Sequence, residues 1–524
     1  MKNLILRHVS FVAMSLLVST TLTPIHGKHG HSQAPKTIIE NPNNLPTRSL
    51  YLEPIATQTQ KENIIPQTRS VKPWTLLVYI AANNNLHTFA LQNMRQMVRV
   101  GSNSNINIVV QFDGIGDSKI KRYLIEGGQT KLLDSLEADT DTISGTPDSL
   151  YQFIKWGYQN FPAKKVAIDL WNHGSGIKDP SIWGKFLMSH RDDLFALNAE
   201  KNLLELNRRM EANNGESDDE ATFNLETRTL FADLTLALMK KRGIAFNDAN
   251  EVYIDNQQLR SVLDNVCRYV LVGKRIDVVL MDACHMGMVE LASKMRPYAN
   301  FMVGSSEVEP GSGYDYELLL TPFTTEDLTA KAFAVHAVRA YEKTYKTTHA
   351  DYTQAAVELG TFAPIEHTFA ALAKTMHEAL SQVESKKMFE LIRTVRFSSK
   401  YTTEFYDPDY IDAGHFLISL ICKTRELLAT HEGISLETRT AFERIIELSE
   451  EGYRALTTSI IAETHGANLP MSHGLGLFFP NRNTHSSYLK TTFDKATGWS
   501  LFLARFLNRL KYGRITDEEE QSPV

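Results

Sequence analysis

Two short motifs in the 524-residue chain combine residue types that can do chemistry: Trp171-Asn-His-Gly-Ser-Gly176 and Asp282-Ala-Cys-His-Met-Gly287. A thiolate is a strong nucleophile near neutral pH, and an imidazole within reach can take its proton and later return it to a leaving group. Cys284 and His173 are the candidates for those roles. Gly174 has no side chain, so its backbone N–H can approach a developing oxyanion, with the N–H of Cys284 as the natural second donor. Met288, Leu291, Ala292 and Met295 recur at helical spacing, which predicts a helix directly behind Cys284 whose N-terminus favours the thiolate. Other chemistries fit less well. A metal site on Cys284, His285 and His173 lacks the C-x-x-C pair or spaced carboxylates of a tetrahedral centre. No G-x-S-x-G elbow follows a strand, which disfavours a serine hydrolase. An inert buried thiol is the ordinary fate of a cysteine. Against it stands the coincidence that both motifs close apolar β-type runs.

Those runs belong to a regular alternation. Residues 74–80, 106–112, 166–171, 276–281 and 301–304 read as strands, with helices at 86–100, 149–161, 257–272 and 287–294 between them. A hairpin is expected near 121–125 and 130–133 around Gly127-Gly128. Strands separated by helices predict βαβ units and a mostly parallel, buried sheet with helices on both faces. In such sheets function gathers beyond the carboxyl ends of the strands, where both motifs sit. Residues 184–242 break the rhythm with the acidic run Glu211-Ala-Asn-Asn-Gly-Glu-Ser-Asp-Asp-Glu220 and read as an inserted loop. Beyond 325 the pattern turns mainly helical, at 325–345, 363–395, 410–430 and 436–461, with strands at 354–359 and 474–479. This half is a second lobe or an extension of the first. The expected division is therefore a catalytic domain at 73–325, a helical region at 326–510 and a polar tail at 511–524.

The chain as a whole sets limits. Lys and Arg total 55 against 61 Asp and Glu, a net charge of −6 with no basic stripe, so nucleic acid is not an expected partner. Lys2 and Arg7 precede an apolar stretch from Val9 to Val18, the pattern of a signal peptide, here taken as 1–27. It predicts a secreted or cell-envelope protein, with no membrane contact beyond that segment. Residues 28–72, rich in Pro, Asn, Gln and Thr, read as a linker or propeptide. Three cysteines, Cys267, Cys284 and Cys422, leave at least one free thiol.

Four pieces of the chain then match, in order, the pattern of a known family. They are Trp74-Thr-Leu-Leu-Val-Tyr-Ile-Ala-Ala-Asn-Asn-Asn-Leu86, the His173 motif, the Cys284 motif, and Ser305-Ser-Glu-Val-Glu-Pro-Gly-Ser-Gly-Tyr314. Together they resemble the clostripain family of caspase-type cysteine peptidases, and Gly474-Leu-Gly-Leu-Phe-Phe-Pro480 resembles a late piece of it. The resemblance implies a caspase-like α/β fold and a Cys284/His173 dyad with no third catalytic residue. It implies cleavage after Arg or Lys in protein or peptide substrates, with Asp282 as the acidic floor of the pocket for the residue before the cut (P1); the other reading of Asp282 is a cap on the following turn. Ser305, Ser306 and Glu307 are the further substrate-binding candidates, with Glu309 beside them; solvated loop carboxylates are the other reading of the two glutamates. No cofactor is needed for the chemistry. Calcium is associated with the family, yet no EF-hand-like loop is present and no metal ligands are assigned. His173 and Cys284 lie 111 positions apart, longer than the family pattern. The insertion carries Arg208-Arg209 and Lys240-Lys241-Arg242, a candidate activation loop whose cutting would turn a monomeric zymogen into a two-chain form. The competing reading is an idle caspase-like scaffold that binds peptide.

Overall fold

The computed structural model describes residues 71–116, 118–138, 143–178, 195–198, 203–206, 244–247, 252–381, 385–430 and 434–519. The expected signal peptide, the linker before Val71, most of the insertion and its basic clusters lie outside these residues.

The fold is built around a nine-stranded sheet in the order β14-β12-β11-β10-β5-β1-β2-β3-β4. Inside it, β1 (Lys72–Ala82) is parallel both to β2 (Ile106–Gly114) and to the central strand β5 (Ala163–Trp171). The parallel set continues through β10 (Ile276–Asp282) to β11 (Ala299–Gly304). One end is closed by the antiparallel strands β3 (Lys119–Glu126) and β4 (Gln129–Glu137), the expected hairpin. At the other end β12 (Thr353–Glu358) runs antiparallel to β11, and β14 (Ile460–His465) pairs antiparallel with β12 at the edge. Short pairs form between β6 (Phe195–Asn198) and β7 (Leu203–Leu206), between β8 (Ile244–Asn247) and β9 (Val252–Ile254), and between β13 (Tyr410–Asp412) and β15 (Gly476–Phe478).

Strand periodicity separates two cores. Leu77, Tyr79 and Ala81 of β1 face one, while Trp74, Leu76, Val78, Ile80 and Ala82 face the other. The second core is covered by α1 (His87–Val100) and by a later helix, Ala330–Tyr345. The first takes α2 (Pro147–Asn160), capped by Thr146, and α3 (Asn256–Asn265), which starts in a capping box on Asp255. It also takes the C-terminal helices, whose Phe369, Phe416 and Trp499 are fully buried there. The C-terminal half is thus joined to the catalytic half through a shared sheet and a shared core. The last helix, Trp499–Glu519, runs on into the expected polar tail.

Several boundaries differ from the sequence reading. The helix read through 461 ends at Ser459, and Ile460-Ile-Ala-Glu-Thr-His465 becomes the edge strand β14. No glycine or proline marks the change, so β-branched residues at a helix end carried the only signal. Tyr410–Asp412 is a strand rather than the first turn of the following helix, and the 363–395 segment is two helices, Ala363–Ala379 and Ser385–Phe397. Behind Cys284 the helix begins only at Val289. Before it, the N–H groups of His285 and Gly287 bond to the carbonyls of Glu307 (3.2 Å) and Ser305 (2.6 Å), holding the turn at Cys284-His285 beside the neighbouring loop. A terminal-turn effect acts over a single turn, so this late start takes the helix N-terminus away from the thiol.

Candidate active site

The strand order puts the site at a reversal: from β1 the chain moves to β2 on one side and to β5, β10 and β11 on the other. Loops leaving β1 and β5 diverge there, opening a crevice at their carboxyl ends. Asn84 and Asn85 follow β1, His173 follows β5, and Cys284 follows β10.

Asn172 fixes the His173 loop. Its N–H donates to the Asp282 carbonyl at 3.2 Å, continuing the β5–β10 pairing. Its side-chain amide donates to the Ala81 carbonyl (2.5 Å), and its Oδ1 accepts from Asn84 (3.0 Å) and from the His173 N–H. The imidazole Nε2 lies 2.7 Å from Asn85 Oδ1. An amide oxygen accepts, so in the orientation assigned to Asn85 the ring carries its proton on Nε2 and Nδ1 is the basic nitrogen. Asn85 therefore orients the imidazole. In the sequence Asn83-Asn84-Asn85 stands only inside the piece that runs from Trp74 to Leu86, with no role of its own. Three amides following β1 at a sheet reversal were the available clue.

Cys284 is half-buried, and its Sγ accepts the Glu309 N–H at 3.3 Å. The two loops touch through Gly174: a Cβ there would lie 2.2 Å from the Cys284 carbonyl oxygen and 3.1 Å from Ala283 Cβ, so only glycine allows this approach. His285 sits at φ +58° and turns inward. Its Nδ1 donates to the Ser306 carbonyl (2.8 Å), its ring packs edge-on to Tyr410, and burial holds its pKa below the usual histidine range.

Beneath the cysteine lies a cluster of buried acids. Asp282, 4% exposed, accepts from the Tyr314 N–H (3.3 Å) and the Tyr316 hydroxyl (3.0 Å), and that hydroxyl also reaches Asp169 at 2.6 Å. Gln354 donates to Glu309 at 3.2 Å, and the Glu309 carboxyl lies against that of Asp282. Burial raises all three carboxyls, and neighbouring charge adds to the rise at Asp169 and Glu309, which end well above their usual range. Asp282, held by its donors, rises only to about 6. Of the three, Asp282 is raised least and so keeps its negative charge most readily. The Gly313 backbone covers this carboxylate so closely that a Cβ there would come 2.2 Å from Oδ1.

Ser305 and Ser306 are fully buried. The Ser305 hydroxyl donates to the Glu307 carbonyl (2.9 Å), and the Ser306 hydroxyl to the Gly287 carbonyl (2.6 Å). Both Glu307 carboxylate oxygens accept the Tyr406 N–H, at 3.1 and 3.0 Å, and burial pushes this carboxyl up to about 8. These three residues thus tie the loop after β11 to the Cys284 loop and to the C-terminal region. Among the described residues no group of three or more His, Cys, Asp or Glu side chains is arranged to hold a metal ion.

A parallel α/β sheet presenting cysteine and histidine from adjacent strand ends, over buried acids, is the framework of a cysteine-type peptidase. The sequence profile of the clostripain family matches residues 78–210 and 232–499, and the chain belongs to that family. The match passes over 211–231, within the insertion. No curated protein matches the chain. Among solved structures it is similar to an inactive zymogen C11 protease from Parabacteroides distasonis, at 14% identity over 83% of this chain and 99% of that one, with a TM-score of 0.49. It is also similar to a secreted C11 cysteine protease from Bacteroides thetaiotaomicron in complex with an irreversible peptide inhibitor, at 16% identity over 82% and 99% of the two chains, with a TM-score of 0.46.

Proposed function

We propose that the protein is an exported endopeptidase that cuts after Arg or Lys through a Cys284/His173 dyad and is made as a zymogen. His173 takes the thiol proton, and Cys284 Sγ attacks the scissile carbonyl. The N–H groups of Gly174 and Cys284 hold the oxyanion, and the imidazolium returns its proton to the departing amine. Water activated by the same imidazole then releases the acyl group. Asp282 pairs with the cationic P1 side chain and thereby removes the local negative charge that opposes thiolate formation.

The observation that carries the reading is the double engagement of Glu309, whose N–H meets Cys284 Sγ and whose carboxyl meets Asp282. One residue thus couples the nucleophile to the acidic floor. The Gly313 backbone over Asp282 supports a precursor form, since a P1 side chain reaches the carboxylate only after that loop moves. Cutting within 184–242 is the proposed trigger, and calcium the proposed effector. The test is hydrolysis of peptides with Arg, Lys, Asp or Leu at P1, with calcium or a chelator, before and after nicking the insertion. Cleavage of Arg or Lys peptides that is lost in Cys284→Ala and loses its basic preference in Asp282→Ala upholds the proposal. No cleavage under any condition leaves the peptide-binding scaffold instead. Intact mass of wild type and Cys284→Ala after incubation tests the trigger: equal cutting of both, or of neither, removes self-processing.

A further inference from the structure

Directly after His173-Gly174, and a few residues before the insertion, residues 175–178 are held at every position. The Ser175 carbonyl accepts the Tyr410 hydroxyl (2.6 Å), and the Ser175 hydroxyl donates to the Lys178 carbonyl (2.8 Å). Asn256 donates to the Gly176 carbonyl, and Ser487 to the Ile177 carbonyl, each at 2.9 Å. The Lys178 N–H donates to Tyr410 Oη at 3.3 Å. Lys178, 2% exposed, places its ammonium 2.9 and 2.7 Å from the Asp407 oxygens and 2.6 Å from Asp409 Oδ2. Gly176, at φ +64°, is hemmed in, since a Cβ would meet Met288 Sδ at 2.8 Å and Tyr410 Oη at 2.9 Å. A buried ammonium between two carboxylates tolerates little displacement, because separation leaves charge uncompensated away from water. The loop that supplies Asp407, Asp409 and Tyr410 also gives its Tyr406 N–H to Glu307 and is anchored by the buried Arg396, which bonds the Pro408 carbonyl and Glu404. One loop from the C-terminal half therefore braces the exits of both catalytic loops.

We infer that Lys178 is a positioning residue for His173: its ion cluster with Asp407 and Asp409 fixes the histidine loop independently of the chain that follows, so that the insertion can be cut without releasing the imidazole. This rests on the reading that His173 serves Cys284. The physical reason is mechanical. Among the described residues, the segment's hydrogen-bond and ion-pair partners come from positions 256, 407, 409, 410 and 487, all outside the insertion.

The experiment uses the full chain carrying a site-specific protease sequence in place of residues 212–218. Wild type, Lys178→Met, Tyr410→Phe and His173→Ala are compared uncut and cut. The readouts are kcat and KM on an Arg peptide, the thermal midpoint, and the pH profile of Cys284 alkylation by iodoacetamide. Lys178→Met is expected to lower kcat of the cut form about tenfold or more with KM little changed, since misplacing a reacting group by an ångström costs on the order of 100-fold. Its alkylation profile should move toward that of His173→Ala. Tyr410→Phe, which keeps the ring and removes one hydroxyl, should lower kcat severalfold in the same direction, and it decides the matter if Lys178→Met does not fold. Wild-type kcat and alkylation profile in a folded Lys178→Met, or in Tyr410→Phe when that variant decides, overturn the inference, whatever the thermal midpoint. Alkylation that does not respond to His173→Ala instead overturns the dyad itself.

Discussion

The two loops that form the site are held by different means. The Cys284 loop leans on main chain near it in sequence: the Glu307 and Ser305 carbonyls, the Glu309 N–H, and the Gly287–Gly304 close approach, where a Cβ on Gly287 would lie 2.6 Å from the Gly304 oxygen. The His173 loop leans on side chains drawn from Asn84 to Ser487. Backbone bracing is set by strand register and tolerates side-chain change but not added volume. Side-chain bracing fails one hydrogen bond at a time. The first loop should thus lose stability and activity together, and the second mainly activity.

Substitutions can break or sharpen that contrast. Cys284→Ala sets the ceiling, since it removes the nucleophile and, of the braces, only the Sγ that accepts the Glu309 N–H: peptide hydrolysis should fall by about a thousandfold or more, with the thermal midpoint lowered by no more than a few degrees. Asp282→Asn should raise KM for Arg and Lys peptides by on the order of 100-fold, the usual scale for losing one side of a buried charge pair. In the wild type the same KM should climb as pH falls through about 6, because protonating Asp282 removes the charge that receives the P1 cation. Asn85→Ala should cost about tenfold in kcat, with the midpoint within a few degrees. Gly287→Ala should instead lower the midpoint by about 5 °C or more, with activity following it. Equal thermal loss in these two variants would sink the contrast.

The smallest effect concerns Glu290, fully buried behind the Cys284 loop, where its Oε1 accepts the Phe478 N–H at 2.9 Å. Burial raises its carboxyl from 4.5 to about 8. A raised folded-state value means the neutral acid is favoured in the fold, so its contribution is complete below the unfolded pKa and fades as pH rises through about 8. Thermal midpoints should fall between about pH 5 and pH 8 and level off above that. Glu290→Gln should flatten part of that fall, and Glu307, raised to a similar value, leaves the rest. An unchanged pH slope in Glu290→Gln would remove this account.

What was legible in the sequence follows the same divide. The parallel strands, the hairpin at Gly127-Gly128 and the strand-end placement of both motifs could be read because each rests on local periodicity and turn chemistry. The strand at Ile460–His465 could not, since its partner, Thr353–Glu358, lies a hundred residues away and only that pairing turns the segment from helix to sheet. The helix placed directly behind Cys284 was displaced by hydrogen bonds to the loop after β11, another long-range competitor for the same backbone groups.

By itself, then, the sequence determined the residue types of the site, their order along the chain and the sheet that brings them to one edge, because these depend on composition and spacing. Only the tertiary structure decided that Asn85 orients the imidazole, that Glu309 joins Cys284 to Asp282, and that Lys178 closes onto Asp407 and Asp409. Each of those is a pairing of polar groups distant in the chain. It is specified by burial, which makes an unpaired polar group costly, and no local pattern records which partner burial will supply.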